Sequence, residues 1–176
     1  MDRRTFIRRG LWGGLLLAVG GSIGLATWPT ERRYRARNRL RALDERQFAV
    51  LAAIAARTVT APGADPIVIA ERVDTQMSWA YPEVRADFGK LLLLFENALA
   101  GLVFDGRARP FTHLSPEAQD RVLAAWRDSR LAVRRSGYGV LRKLTQAAHY
   151  AAPEAWPDTG YPGPPQLVVP GDKVPL

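Results

Sequence analysis

The sequence predicts an all-α fold: a small helical bundle of about five helices, an N-terminal signal or anchor helix, and an extended Pro/Gly-rich C-terminal strap. Three observations carry this expectation. Apolar side chains recur at three- and four-residue steps between Leu43 and Ala151, and no strand-like alternation of useful length appears before residue 165. Breaks rich in Gly and Pro separate those periodic stretches. The composition then changes after Ala152, where seven of the thirteen prolines fall in Pro153–Leu176, beside Trp156 and Tyr161. The resulting divisions are 1–29 (signal or anchor), 30–43 (basic linker), 44–151 (helical domain) and 152–176 (strap).

The first element holds the whole charge imbalance. The chain carries 25 basic and 17 acidic side chains, a net +8, and residues 1–41 alone hold ten Arg against Asp2 and Glu31. Residues 42–176 are therefore neutral. A nucleic-acid-binding domain carries its basic patch on the folded body, so the high pI does not point to nucleic acid. Arg3-Arg4 with Phe6 and Ile7 precedes an uncharged, Gly-diluted run, Gly10 to Pro29, which is the layout of an export signal. The pair with its downstream aromatic resembles the twin-arginine signal, with Asp2 in place of the usual Ser or Thr. Six glycines make the run a reluctant membrane helix, which suits the twin-arginine route for folded proteins. At about 1.5 Å per residue it also comes near the thickness of a hydrocarbon core. Cleavage after Gly24-Leu25-Ala26 and retention as an anchor both stay open. The second basic cluster, Glu31 to Arg41, reads equally as a headgroup-binding segment or a solvated linker.

Helix one is signposted by Asp44 as cap, Gln47 in a capping box and Leu43 as a staple onto Phe48. Its expected stripe is Phe48, Leu51, Ala55, Thr58 and Val59. The Pro62-Gly63 break ends it, and a shorter helix runs from about Ile67 to Trp79 with Val68, Val73 and Met77 as apolar members. Tyr81-Pro82 precedes the third helix, about Glu83 to Val103, expected to be the apolar centre. Its Leu91-Leu92-Leu93-Leu94 run puts leucine on nearly every side, so other helices or a partner must cover it. Ser115-Pro116 opens helix four, with Val122, Leu123 and Trp126 inward. Helix five, roughly Leu131 to Ala151, carries Tyr138, Leu141, Leu144 and Ala148 inward and a weak point at Ser136-Gly137. The strap is expected to be non-helical because proline removes backbone donors, lying along its own helices or another protein.

Little catalytic chemistry is available. Cysteine is absent, which excludes thiolate metal sites, covalent haem attachment and a Cys nucleophile. Only His113 and His149 are present, His113 beside Thr112 in a loop and His149 ending the last helix, neither on a clear inward stripe. As a pair from different elements they could offer axial ligands to a b-type haem, which defines an alternative function: a small membrane-anchored electron-transfer subunit.

The pattern His149-Tyr150-x-x-Pro153-Glu154-x-Trp156-x-x-x-Gly160-Tyr161-Pro162-Gly163-Pro164 resembles the end of the gluconate 2-dehydrogenase subunit 3 family. The twin-arginine leader, the Leu43-to-Leu51 opening and Pro62-x-x-Asp65 fit the same family. The resemblance implies a non-catalytic accessory subunit of a membrane-associated sugar or alcohol dehydrogenase. It also implies that FAD, often with an iron–sulfur cluster, belongs to a glucose–methanol–choline-type flavoprotein partner. A multihaem cytochrome c subunit commonly takes the electrons there. By that resemblance this chain holds no cofactor or metal. It escorts the flavoprotein through the twin-arginine translocase to the periplasmic side of the inner membrane. The expected export residues are Arg3, Arg4, Phe6 and Ile7. The expected interface residues are Tyr150, Pro153, Trp156, Gly160, Tyr161, Pro162, Gly163 and Pro164.

Overall fold

The computed structural model describes residues 34–97 and 109–164. Five helices of a dozen residues or more make up the bundle: α1 (Glu45–Thr58), α2 (Pro66–Ser78), α3 (Pro82–Glu96), α4 (Pro116–Arg127) and α5 (Ala132–Tyr150). One 3₁₀ turn, Phe111–His113, leads to α4, and another, Pro153–Ala155, leads to a single helical turn, α6 (Trp156–Thr159). No strand occurs among the described residues. The expected N-terminal helix, the export residues Arg3, Arg4, Phe6 and Ile7, residues 98–103 of the third helix, and 165–176 of the strap lie outside them.

The capping box that opens α1 forms as expected. Asp44 accepts the Gln47 N–H at 2.8 Å, and the Gln47 side chain accepts the Asp44 N–H at 3.1 Å. From there every residue from Phe48 to Ala55 is buried. A helix buried all round must be enclosed by others, and α1 packs against α2, α3, α4 and α5. The centre of the fold is thus α1, not α3 as the leucine run suggested. The reason is size. Ala49, Ala52, Ala53 and Ala55 let neighbouring helices close in on all sides, whereas in α3 only one face is covered. Phe88, Leu92 and Phe95 are buried there, Leu91 and Leu94 are half-buried, and Leu93 is exposed.

The remaining elements build onto that centre. Asp65 caps α2, accepting from the Ile67 N–H at 2.9 Å, with Pro66 in the first turn. Ser115 caps α4, and Val122, Leu123 and Trp126 are buried as expected. The Phe95 ring stacks on Trp126 at 3.8 Å between centroids and meets Phe111 edge-on at 5.7 Å, tying α3 to α4 and the turn before it. Buried Glu96 accepts the Thr112 N–H at 3.0 Å and its hydroxyl at 2.6 Å, which fixes that turn onto the end of α3. The Thr58 and Thr145 hydroxyls meet at 2.9 Å where α1 passes α5. The Arg57 guanidinium forks onto the Asp120 carboxylate at 2.8 and 2.7 Å, joining α1 to α4.

α5 runs unbroken through Ser136-Gly137. The glycine read as a weak point is a close-packing point, because a Cβ there would lie 2.8 Å from Leu91 Cδ1 and 3.1 Å from Trp126 Cζ3. Gly139, two residues on, faces open space. The strap also departs from expectation. Its first part is helical, since Pro157 sits in the first turn of α6, where a missing N–H leaves no helical bond unmade.

Gly137→Ala should destabilise the chain by about 1–3 kcal/mol through overpacking, while Gly139→Ala should stabilise it by up to about 1 kcal/mol through helix propensity. Urea unfolding of the two variants checks the sign of each. Hydrogen bonds from Arg57 hold the Asp120 carboxyl below its ordinary value, against partial desolvation. A lowered carboxyl contributes stability above the unfolded value, near pH 4, and loses it as pH falls through the folded one. Because the carboxylate is half-exposed and screened, Asp120→Asn should cost at most about 1 kcal/mol at pH 7. The gap to the natural chain should shrink steadily below pH 4, as unfolding at several pH values would show.

Candidate partner-binding surface

α2 is the platform to which both ends of the described chain are tied. On one side, its acidic residues hold the backbone of the segment before α1. Glu71 Oε1 accepts the N–H groups of Arg37 at 2.7 Å and Asn38 at 2.8 Å, and Oε2 accepts the Asn38 side chain at 2.9 Å. Asp74, which is 2% exposed, accepts from Arg41 at 2.7 Å, Ala42 at 3.0 Å and Leu43 at 2.8 Å. Successive N–H groups converging on one carboxylate form an anion nest built from the chain itself. The Arg37 guanidinium adds a 2.8 Å pair with Asp65. Partial desolvation would raise the Asp65 carboxyl, but the Ile67 and Val68 N–H groups and Arg37 outweigh it, and the carboxyl lies below its ordinary value. The segment read from its charge as a linker therefore has its backbone bound to α2, while Arg35, Arg39 and Arg41 face solvent.

On the other side, α2 meets the end of α5 and the turns after it. The Arg72 guanidinium reaches the Ala148 carbonyl at 3.5 Å and the Glu154 carboxylate at 3.4 Å. A cleft of about 240 Å³ opens between Gly63, Asp65, Arg72, His149, Ala152 and Ala155. A second, open groove of about 450 Å³ runs along α2, past Val68, Thr75 and Gln76 to Trp79, with Ala148, Ala151 and Pro153 opposite, and shares Arg72 and Glu154 with the cleft. His149 is 7% exposed, and its Nε2 has no hydrogen-bond partner. This corrects the sequence reading, which placed neither histidine inward. His149 falls one turn after buried Thr145 and next to buried Ala148. His113 is elsewhere, half-buried in the 3₁₀ turn packed on α1 and α3, with Nδ1 3.1 Å from the Thr112 hydroxyl.

The Gly-Tyr-Pro-Gly-Pro box is folded onto Trp156. The indole N–H donates to the Tyr150 carbonyl at 3.2 Å, closing the box back on the end of α5. Gly160 takes a left-handed conformation (φ 67°) that ends α6, as helix C-termini favour. Gly163 (φ 103°) lies so near the indole that a Cβ would sit 3.0 Å from it. The Tyr161 ring meets Trp156 edge-on at 5.4 Å. The two glycines and the tryptophan thus shape the box. Tyr150 and Tyr161 are 44% and 47% exposed, and Pro153, Pro162 and Pro164 are exposed beside them.

The structure brings together Tyr150, Pro153, Trp156 and Gly160 to Pro164 at one end of the bundle, next to the His149 cleft. Sequence reasoning missed Glu71, Arg72, Asp74 and Trp79. Asp74 carried a signal, since it falls in helical register with buried Ile67 and Ala70, where a carboxylate needs donors from another segment. Trp79 carried none, because its 77% exposure depends on what fails to cover it. Among the described residues no cluster of three His, Asp or Glu side chains could hold a metal ion, and no helix is long and apolar enough to cross a membrane.

A family model described as gluconate 2-dehydrogenase subunit 3 matches residues 45–163, from the first residue of α1 to Gly163 in the box. No curated protein and no solved structure matches the chain.

Replacing Asp74 with Ala should release the segment before α1. Three N–H groups would lose an ionised acceptor, and the loss should be at least about 2 kcal/mol. Amide hydrogen exchange should speed up at Arg41, Ala42 and Leu43 before any change in α4 or α5. Unchanged protection at those three amides would contradict the latch.

Proposed function

The chain belongs to the gluconate 2-dehydrogenase subunit 3 family, and from that premise we propose that it is the non-catalytic small subunit of an FAD-dependent sugar or alcohol dehydrogenase complex. In this reading it binds a glucose–methanol–choline-type flavoprotein and escorts it, folded, through the twin-arginine translocase. It then supports the maturation and stability of that subunit at the periplasmic face of the inner membrane. The run Gly10 to Pro29 serves as signal or retained anchor. FAD, and any iron–sulfur cluster or c-type haem, reside in the partner subunits, with a cytochrome c subunit as electron acceptor.

The observation that carries the reading is the self-folded box at the end of the family match. Pro and Gly hold it in one shape at low ordering cost, and that shape leaves two tyrosines exposed, the residue type that anchors protein interfaces. The interior supports it as well. The buried carboxylates Asp74 and Glu96 are engaged by backbone N–H groups and a threonine hydroxyl, so they act as structural acceptors. The twin-arginine leader supplies the escort half of the proposal.

Changing Arg3 and Arg4 to Lys should strand both this chain and its flavoprotein in the cytoplasm, because an ammonium cannot copy the forked guanidinium that the machinery reads. Fractionation with flavin fluorescence as the marker would show it. Export of the flavoprotein at the natural level in that strain would sink the escort role.

A further inference from the structure

We propose that the outer face of α5 is a basic docking strip that holds an acidic surface of the large subunit, whose backbone comes close at Gly139. The inference rests on the reading of this chain as a dehydrogenase subunit and adds which face, and which charge, holds the partner.

The overall neutrality of the body conceals a division of charge. Residues 44–97, which build α1 to α3, hold eight acidic and five basic side chains. Residues 114–152, which build α4 and α5, hold three acidic and seven basic. α5 is the extreme: its 19 residues include Arg134, Arg135, Arg142 and Lys143 and no Asp or Glu. A solvated helix face is stabilised by opposite charges three or four residues apart. α3 has such a pair, with Lys90 2.9 Å from Asp87, and α5 has no residue to make one.

Neighbouring elements do not neutralise the strip. Arg134 turns inward over the Trp126 ring, 5.1 Å from its centroid. Arg135 is exposed and donates to the Ser129 carbonyl at 2.6 Å, a neutral partner. Arg142 and Lys143 are exposed, and neither makes an ion pair among the described residues. The carboxylates of the adjoining elements are engaged elsewhere. On α4, Asp120 is paired with Arg57 and Asp128 with Arg127, and Glu117 lies near Arg57. On α2, Glu71 and Asp74 hold backbone N–H groups, and Glu154 faces Arg72. The strip presents positive charge alone, and its complement is a surface rich in carboxylates.

Shape places the partner's backbone. Gly139 lies one helical turn from both Arg135 and Lys143, and a Cβ there would meet nothing within 4 Å. Glycine inside a helix costs stability relative to alanine, and no contact within the chain requires it at this position. Gly137, on the opposite side of the helix, differs, because Leu91 and Trp126 crowd it. A residue without a side chain on an open face lets a second backbone approach closely. Lys143 and Tyr150 share the side of Gly139 by helical spacing. Tyr150 is 44% exposed, and its carbonyl accepts from Trp156, so the strip leads directly to the aromatic box. That continuity with the proposed interface selects a protein partner.

The test uses the full-length chain and the large subunit. Gly139→Leu should raise the Kd for the large subunit about tenfold or more, while the isolated chain stays at least as stable to urea. Affinity lost with stability kept is a result that a purely structural glycine would not give. Gly139→Ala should move both readouts the same way by less, which keeps the test valid if leucine disturbs the helix. Arg142→Glu combined with Lys143→Glu should also raise the Kd about tenfold or more and flatten its dependence on salt. Unaltered Kd in the charge-reversed variant would overturn the proposal, and so would unaltered Kd in both Gly139 variants. Binding of the natural chain to phosphatidylglycerol vesicles, lost on charge reversal while the Kd for the large subunit is kept, would make the strip a lipid-binding face and overturn it too. If the natural chain binds no dehydrogenase at all, the functional reading itself falls. If it binds and the variants bind equally well, only the strip assignment falls.

Discussion

Burial of α1 on every side from Phe48 to Ala55 is the constraint on which the rest of the molecule depends. A helix whose residues from Phe48 to Ala55 are all inaccessible has no solvent face to set its orientation. Position is fixed instead by what surrounds it: α2, α3, α4 and α5. Alanine makes this possible, since a ring of small side chains allows close approach from several directions. Large residues then lock the register. Phe48, Leu51 and Ile54 are fully buried, each contributing about 1.5–3 kcal/mol. The Thr58–Thr145 and Arg57–Asp120 contacts at the far end fix the neighbours against rotation.

With α1 in the middle, α2 is left to organise both chain ends. Successive helical residues point about 100° apart, and Glu71 and Arg72 serve different segments. Glu71 and Asp74 hold the backbone of the segment before α1, while Arg72 reaches the end of α5 and the turn before the aromatic box. In the proposed function, one helix therefore connects the export leader to the partner-binding end. Arg35, Arg39 and Arg41 keep their side chains in solvent because the backbone makes the attachment.

Much of the fold could be read from the sequence, where local rules and tertiary packing agree. Asp44 with Gln47, Asp65 with Pro66, and Ser115 with Pro116 each mark a helix start that forms where its capping chemistry puts it. Trp126 faces inward as its periodicity requires. The errors have physical causes. Hydrophobicity ranks leucine above alanine, so α3 looked like the centre, although close approach depends on small size. Gly137 looked like a break because intrinsic propensity does not register that Leu91 and Trp126 occupy the space of a Cβ. Pro157 looked incompatible with a helix because the rule against proline relaxes in a first turn. The box around Trp156 was recognisable as a pattern, but its shape was not. The donors that fill the Glu71 and Asp74 nests were not legible, because they lie more than thirty residues earlier and are backbone groups, which have no sequence signature.

The most direct test of the central claim is to purify the chain by a C-terminal tag from its native membrane fraction, identify what comes with it, and record the absorption spectrum. The account predicts a larger polypeptide with an oxidised-flavin spectrum, and no visible absorbance when this chain is purified alone. Recovery of the chain without a flavoprotein would contradict the account. A haem band in the isolated chain would contradict it too, and would make His113 and His149 the first residues to change.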